Sequence, residues 1–377
     1  MKNFYTVLFL LFSSTLLMHG CKQGSHFPEK NSHIKNISPE KGKTVLTLKK
    51  AFEINSSLIN KKAMFGSFDR AKNGNIYILD WRKTRIYVFD SSGKFIKEFL
   101  KKGKGPGEFS FVQDIQIVDS RIWVIGFRKI ASFDLNGRFI NEFKFKKWLY
   151  KPIFILNEKH FIASYEEYSG ETDITKNLAL LSFDGSILKR IFKARNAGRL
   201  FVRYGKHRIS VIPSPFSLPD IRAAFDSHDK VLYVARSDSY VIYKKNLSGR
   251  TLLTIKRKYI RKRFIMEDKI KEVEELGPIP DNIKKAVIKA LPDRLCAIYD
   301  VKLTSRGYIV VSRIKGYGKI KFDVFHNSGK YLYILELPEN FPVNNFKFYP
   351  GRVATILETR NGYSYIEYEV KNPSGIF

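Results

Sequence analysis

One short pattern recurs along this chain and limits what it can fold into more than any other feature. Its clearest copy spans residues 73–99, with the sequence NGNIYILDWRKTRIYVFDSSGKFIKEF. Two turn signals, Asn73-Gly74 and Ser92-Gly93, separate three short runs of β-branched, aromatic and aliphatic residues, which is typical of an antiparallel meander. Three strands cannot bury both faces of a sheet, so such a unit needs neighbours of its own kind.

The same order of strands and turns occurs six times. The units span residues 68–99, 114–143, 151–192, 223–255, 299–337 and 344–370. Repetition at about 30 to 45 residues, with four strands in each unit, indicates a β-propeller. The sixth unit lacks a fourth strand, and we expect the strand at 44–54 to supply it, because an open ring would leave an unpaired edge. The prediction is an all-β, six-bladed β-propeller of four-stranded antiparallel blades over residues 44–372.

One segment departs from the repeat. Residues 258–292 are highly charged and carry apolar residues at helical spacing, and Pro280-Asp281 and Pro292 are plausible start and stop signals for a helix. The sequence therefore predicts a short helical insertion between blades four and five.

The N-terminus predicts export. Lys2 precedes an apolar segment, residues 4–18, that is short for a membrane span and ends at Gly20-Cys21. It resembles a lipoprotein signal peptide, residues 1–20, followed by lipidation of Cys21; cleavage elsewhere, with Cys21 incidental, stays open. Residues 21–43 lack apolar periodicity and predict a flexible tether. The expected location is the bacterial cell envelope, at the periplasmic or outer face of a membrane.

The charge and the cysteines narrow the possible partners. The chain has 67 Lys and Arg against 36 Asp and Glu, a net charge of +31. This excess fits an anionic partner, yet it is spread along the chain and fits a generally basic composition equally well. Export makes nucleic acid an unexpected partner. The chain has two cysteines, and lipidation of Cys21 would leave Cys296 without a partner for a disulfide or a paired-cysteine zinc site. We expect Cys296 to be buried.

The first two units resemble a known kind of propeller. The motifs at 73–77 (NGNIY), 85–90 (RIYVFD) and 103–109 (GKGPGEF) are similar to those of NHL-repeat propellers, and the chain looks most like the bacterial six-bladed propeller lipoproteins of that superfamily, which includes TolB-like domains. The resemblance implies the fold and no particular activity, because propellers host enzymes, binding modules and scaffolds alike.

Arginines in corresponding loops form the candidate ligand site. The loop after the second strand of five units contains an arginine: Arg82, Arg128, Arg236, Arg313 and Arg360. Such loops share one face of a propeller, and arginine suits bidentate capture of carboxylate or phosphate. Trp81, Phe127 and Tyr317 lie in the same loops and could stack on a ligand ring, whereas the third unit has Glu166 and Glu167 in a longer loop, residues 166–177. A second basic and aromatic segment, residues 199–219, would extend the site if it crosses the same face.

Carboxylates form an alternative site. Asp114 and Asp300 each begin an inner strand, and oxygen ligands from several blades could hold Ca²⁺, although an aspartate there can simply accept hydrogen bonds from a turn. We therefore expect a lipid-anchored binding module without a cofactor, whose partner is an anionic glycan, a small molecule or a protein. The alternative is a calcium-dependent propeller hydrolase or lyase of the lactonase type.

Overall fold

The computed structural model describes residues 32–59, 63–170, 173–204, 207–212, 214–338, 341–342, 345–360, 362–371 and 375. Six antiparallel sheets follow one another in the chain, and each contains four meandering strands from an inner first strand to an outer fourth strand. The predicted all-β, six-bladed propeller is confirmed. Among the described residues, no helix has both the length and the apolar character needed to cross a bilayer.

Three strands precede the first blade. They are β1 (Ser32–Asn36), β2 (Lys43–Val45) and β3 (Leu48–Asn55), and a 3₁₀ turn (Ser56–Leu58) follows them. Strand β3 forms the outer strand of the sixth blade, where it pairs antiparallel with the last strand of the chain. This confirms that the N-terminal segment closes the ring. Residues 43–45 belong to a separate strand, so the predicted strand at 44–54 is two strands.

The first three blades have their strands in chain order. Blade one contains β4 (Phe65–Arg70), β5 (Ile76–Asp80), β6 (Arg85–Phe89) and β7 (Phe95–Phe99). A short parallel pair follows, β8 (Lys101–Lys102) with β9 (Glu108–Phe109). Blade two contains β10 (Asp114–Val118), β11 (Arg121–Ile125), β12 (Lys129–Asp134) and β13 (Phe139–Lys144). Blade three contains β14 (Tyr150–Ile155), β15 (His160–Ser169), β16 (Asp173–Ser182) and β17 (Ile187–Arg195).

The last three blades follow a small hairpin, β18 (Leu200–Tyr204) with β19 (His207–Val211). Blade four contains β20 (Ile221–Asp226), β21 (Val231–Arg236), β22 (Val241–Asn246) and β23 (Thr251–Arg257). Two helices, α1 (Met266–Glu275) and α2 (Asp281–Ala290), confirm the predicted insertion. Blade five contains β24 (Ile298–Leu303), β25 (Ile309–Gly316), β26 (Lys319–Phe325) and β27 (Tyr331–Glu336). Blade six contains β28 (Phe346–Tyr349), β29 (Arg352–Thr359) and β30 (Gly362–Val370), with β3 outermost.

The turns between strands three and four share the sequence Asp-x-x-Gly in blades one and two. In blade one, the Asp90 carboxylate accepts hydrogen bonds from the backbone N–H groups of Ser92 and Lys94, and Gly93 has a φ of +89°. Glycine adopts this left-handed conformation without steric cost, so the signal fixes where each outer hairpin turns.

The N-terminal residues bind the outer edges of two further blades. Strand β1 pairs parallel with β23 of blade four, and β2 pairs parallel with β27 of blade five. The Asn36 side chain donates to the carbonyl of Gly329 and accepts from the N–H of Tyr331, which joins blades four and five. The prediction of a flexible tether is therefore wrong for residues 32–43. Residues 21–31 of that tether, the predicted signal peptide and Cys21 lie outside the described residues.

The hydrophobic core lies between neighbouring blades. One buried cluster joins Tyr77 and Val88 of blade one to Ile115 and Val124 of blade two. The closing cluster joins Ile54 of β3 to residues of blades six and one, so ring closure buries apolar surface as well as pairing an edge. A separate cluster, which includes Val202, Val273, Ile283 and Val287, packs hairpin β18–β19 against α1 and α2. We call this hairpin and the two helices the cap.

Candidate functional site

The strand order defines two faces of the propeller. The loops after the second strand of each blade and the connections between blades lie at one end of the strands, because adjacent strands alternate in direction. We call this end the connection face. The tight turns after the first and third strands lie at the opposite end, which we call the turn face.

Four of the five predicted arginines lie on the connection face. Arg82 and Arg360 are exposed there. Arg128 is exposed as well, and its Nε donates to the backbone carbonyl of Phe145 at 3.1 Å. Arg236 is held on both sides, by the Asp238 carboxylate and by the carbonyl of Arg195. The four arginines lie on separate blades. Arg128 contacts residues 145–149, which border the cleft described below.

The prediction for Arg313 is wrong. Arg313 lies inside β25 and is 4% exposed, because this strand continues to Gly316. Its guanidinium donates to both carboxylate oxygens of the fully buried Asp323, at 2.7 and 3.2 Å. Burial opposes the charge of Arg313, but the neighbouring carboxylate outweighs it and raises the pKa of the guanidinium. Arg313 therefore stabilises the interior of blade five and is not available to a ligand.

The aromatic residues in these loops differ in the same way. Trp81 is 41% exposed beside Arg82. Tyr317 belongs to the base of the cap, where its ring stacks on Phe264 and its hydroxyl donates to Glu275. Phe127 is half-buried and contacts three other aromatic rings at the cleft described below. Of these three loop aromatic residues, Phe127 is therefore the one that belongs to the surface around that cleft.

The two candidate metal ligands each have a lysine partner. The Asp114 carboxylate accepts from the Ser67 hydroxyl and lies 3.3 Å from Nζ of Lys151, on the next blade. The Asp300 carboxylate lies 2.8 Å from Nζ of Lys302. Burial opposes ionisation of Asp114, but the charges of Lys151 and Lys347 outweigh it and lower the pKa of its carboxyl. Within the described part of the chain, no group of three or more His, Cys, Asp or Glu side chains is arranged to hold a metal ion.

The structure places a different site on the connection face, between blades two and four. It is an open cleft of about 460 Å³, which we call the aromatic–basic cleft. Its lining residues come from the connection before β14, from the end of β15 and from the connection after β17: Lys146, Lys147, Trp148, Tyr150, Glu166, Tyr168 and Arg199. The expectation that residues 199–219 extend a site on this face thus applies to Arg199.

A hydrogen-bond cluster fixes one wall of the cleft. Arg199 donates from Nε to both carboxylate oxygens of Glu166, at 2.9 and 3.1 Å, and from Nη2 to the Tyr150 hydroxyl at 3.1 Å. The Tyr168 hydroxyl donates to the same carboxylate at 2.9 Å. Burial and the Glu166 carboxylate both raise the pKa of Tyr168, so its hydroxyl remains a hydrogen-bond donor at neutral pH. This wall is preorganised, because its polar groups hold one another in place.

The segment before β14 carries most of the exposed positive charge of the cleft. Lys146, Lys147 and Trp148 are all exposed. Lys147 lies 4.9 Å above the Tyr165 ring and 3.9 Å from the Glu167 carboxylate, a long ion pair. The segment itself is rigid, because the N–H groups of Phe145 and Leu149 donate to the carbonyls of Arg128 and Phe127, respectively. The guanidinium of Arg128 lies at the start of this segment, because its Nε donates to the carbonyl of Phe145.

Residues 146–148 were not identified as candidate site residues from the sequence. The structure predicted for part of the third unit was also wrong. Residues 166–177 were predicted to be a loop, whereas β15 and β16 are ten-residue strands that extend the hairpin across most of this range. Their length places Glu166 and Tyr168 beside the cleft. The available signal was a tryptophan flanked by two lysines in a connection, KFKKWLY, with no apolar periodicity to assign it to the core.

The fold and the cleft define the class: a six-bladed propeller with a basic, aromatic site on one face. The model of a family described as a 6-bladed β-propeller matches residues 67–217. The chain has no match among curated proteins.

Among solved structures, an exported protein from Bacteroides fragilis is similar, with a TM-score of 0.53 and 13% identity, over 90% of this chain and 100% of that chain. Virginiamycin B lyase from Staphylococcus aureus has a TM-score of 0.42 and 12% identity, over 86% and 100% of the two chains. The calcium-binding protein regucalcin from Agrobacterium tumefaciens has a TM-score of 0.40 and 11% identity, over 89% and 97%. At 13% identity, the likeness to the Bacteroides fragilis protein shows the fold alone.

Proposed function

We propose that this protein is an exported, lipid-anchored propeller of the NHL and TolB-like kind that binds an anionic ligand in the aromatic–basic cleft. The observation that carries the proposal is the cleft itself. It combines two exposed lysines, a half-exposed tryptophan and an arginine fixed by hydrogen bonds. Concave sites with a few convergent polar groups among aromatic side chains are typical of ligand binding.

The electrostatic balance of the cleft supports an anion. Glu166 is the one carboxylate among its lining residues, and it is committed to Arg199 and Tyr168. Lys146, Lys147 and the adjacent Arg128 remain facing solvent. Charged donors of this kind bind carboxylate, sulfate or phosphate groups more strongly than neutral donors do.

The export part of the proposal is supported by the sequence of residues 1–21 and by the exported protein of the same fold. Expression in a bacterial host with a radiolabelled fatty acid tests it. The wild-type chain should incorporate label into the membrane fraction, and Cys21→Ser should not. Equal labelling of the two chains would contradict the proposed lipidation of Cys21.

Retention on a heparin column at about 0.15 M ionic strength tests ligand binding. The double variant Lys146→Ala with Lys147→Ala should elute at clearly lower salt than the wild type. A control variant, Lys72→Ala with Lys94→Ala, loses the same charge from two exposed lysines of the turn face and should elute like the wild type. Equal shifts for the two variants would show that retention reflects overall charge, and would contradict the proposal.

A further inference from the structure

We infer that the ligand of the aromatic–basic cleft is an acidic oligosaccharide that extends beyond the cleft. This inference rests on the proposed function and narrows it to a class of ligand. It comes from a row of aromatic rings that leads out of the cleft along the connection face: Phe111, Phe127 and Trp148. We call these three rings the aromatic strip.

The strip is continuous and open to solvent. Phe111 and Phe127 stack with centroids 5.1 Å apart and planes 17° apart, and Phe127 lies 5.1 Å from Trp148. Phe111 is 42% exposed and Trp148 is 51% exposed, which is high for such large apolar side chains. Phe127 also contacts Tyr150 of the cleft, with centroids 6.2 Å apart. The strip and the cleft therefore form one surface, longer than a single small anion requires.

The strip is held in place by its backbone. The N–H of Leu149 donates to the carbonyl of Phe127 at 2.6 Å, which ties the segment around Trp148 to the loop of blade two. A Cβ atom at Gly126 would lie 3.0 Å from the carbonyl oxygen of Phe111, so glycine at this position permits the connection to approach the loop. Rings fixed in this way lose little conformational entropy when a ligand stacks on them.

The polar groups around the strip distinguish a sugar chain from other polyanions. Lys146, Lys147 and Arg128 provide the cations that carboxylate or sulfate groups require. The Tyr168 hydroxyl donates to Glu166 and the Tyr150 hydroxyl accepts from Arg199, and each hydroxyl oxygen keeps a lone pair that can accept a hydrogen bond from a sugar hydroxyl. Polyphosphate has no ring to place on the strip. A nucleic acid could stack there as well, but the predicted export makes it an unexpected partner, and the test below includes it.

The test compares three polyanions of matched charge by calorimetry with the full mature protein: a heparin hexasaccharide, inorganic polyphosphate and oligothymidylate. The wild type should bind the hexasaccharide most tightly. Phe111→Ala and Trp148→Ala should each weaken hexasaccharide binding by about tenfold, the loss expected for one stacked ring, and should leave polyphosphate binding unchanged. Phe95→Ala, which removes an exposed ring from the outer strand β7, is the control and should change none of the three affinities.

The other outcomes separate this inference from the proposed function. If polyphosphate and hexasaccharide bind equally well, and both depend on Lys146 and Lys147, the cleft binds anions but the strip does not contribute, and the inference is overturned. Tighter binding of oligothymidylate would assign the strip to a nucleic acid and would also overturn it. If the double variant Lys146→Ala with Lys147→Ala leaves all three affinities unchanged, the proposed function itself fails.

Discussion

At the scale of single residues, the same side chain serves different purposes according to its neighbours. Arg199 is ordered by Glu166 at the edge of an open cleft, whereas Arg313 is ordered by Asp323 inside a blade. The sequence rule placed an arginine after the second strand of five units. Arg82, Arg128 and Arg360 lie in such loops, and Arg236 is the last residue of its strand. The rule fails for Arg313 because β25 has eight residues and β5 has five, and strand length depends on pairing with distant neighbours.

The buried arginine leads to a stability prediction. Arg313→Ala should lower the free energy of unfolding by about 3 kcal/mol, because it leaves the buried Asp323 carboxylate with one cation fewer. Arg257 still donates to that carboxylate at 2.8 Å, which keeps the loss at the lower end of the usual range. Chemical denaturation measures it. The exposed Arg360→Ala is the control, with a change of about 0.5 kcal/mol or less. A similar loss for both would contradict the buried ion pair.

The carboxylate of Asp114 leads to a pH prediction. The pKa of Asp114 is lowered in the folded protein, so its ionised form stabilises the fold above the ordinary aspartate pKa of about 3.9. The wild type should therefore be more stable than Asp114→Asn at neutral pH. This advantage should shrink as the pH falls through the lowered folded-state pKa. Denaturation of both proteins between neutral and acid pH measures the difference in unfolding free energy. If that difference grew on acidification, the pKa of Asp114 would be raised in the folded protein, contrary to the prediction.

The buried cysteine leads to a reactivity prediction. Cys296 is fully buried in the cluster beneath the cap, and burial raises the pKa of its thiol to about 11. At mildly alkaline pH the thiol should react with a maleimide only after denaturation, because the thiolate is the reactive form. Mass spectrometry of native and unfolded protein measures the labelling. Rapid labelling of the native chain would mean that the cap opens readily.

At the scale of elements, the repeated strands were predictable and the connections were not. Blades one to five each repeat an alternation of apolar residues and a left-handed glycine in the turn before the outer strand, and these local signals are set by the pleat and by the glycine conformation. The connections have no such repeat. Residues 145–149 border the cleft because their N–H groups donate to the loop between β11 and β12. The extended β15–β16 hairpin was missed because turn signals alone do not report strand length.

The closing strand leads to a prediction at this scale. Ile54 of β3 is fully buried among residues of blades six and one. Ile54→Ala should cost about 3 kcal/mol of unfolding free energy, as expected for a large-to-small change in a packed core. Lys49→Ala, an exposed position of the same strand, is the matched control. If thermal or chemical denaturation shows no difference between them, β3 does not close the ring in solution.

At the scale of the whole molecule, the net charge of +31 does not locate the site. Exposed lysines occur on both faces, including Lys72 and Lys94 on the turn face and Lys146 and Lys147 on the connection face. The cleft is distinguished by the exposed rings and the ordered Arg199 beside its lysines. These groups come from positions far apart in the sequence, such as Trp148 and Arg199, and the folding of blade three with its flanking connections brings them together.

The central claim is that the aromatic–basic cleft is where this propeller binds its ligand. A crystal structure of the mature protein with a heparin oligosaccharide tests it most directly. The account predicts sugar density over Trp148, with acidic groups within hydrogen-bond distance of Lys146, Lys147 or Arg128. Well-defined sugar in the central channel or on the turn face, with the cleft empty, would contradict it.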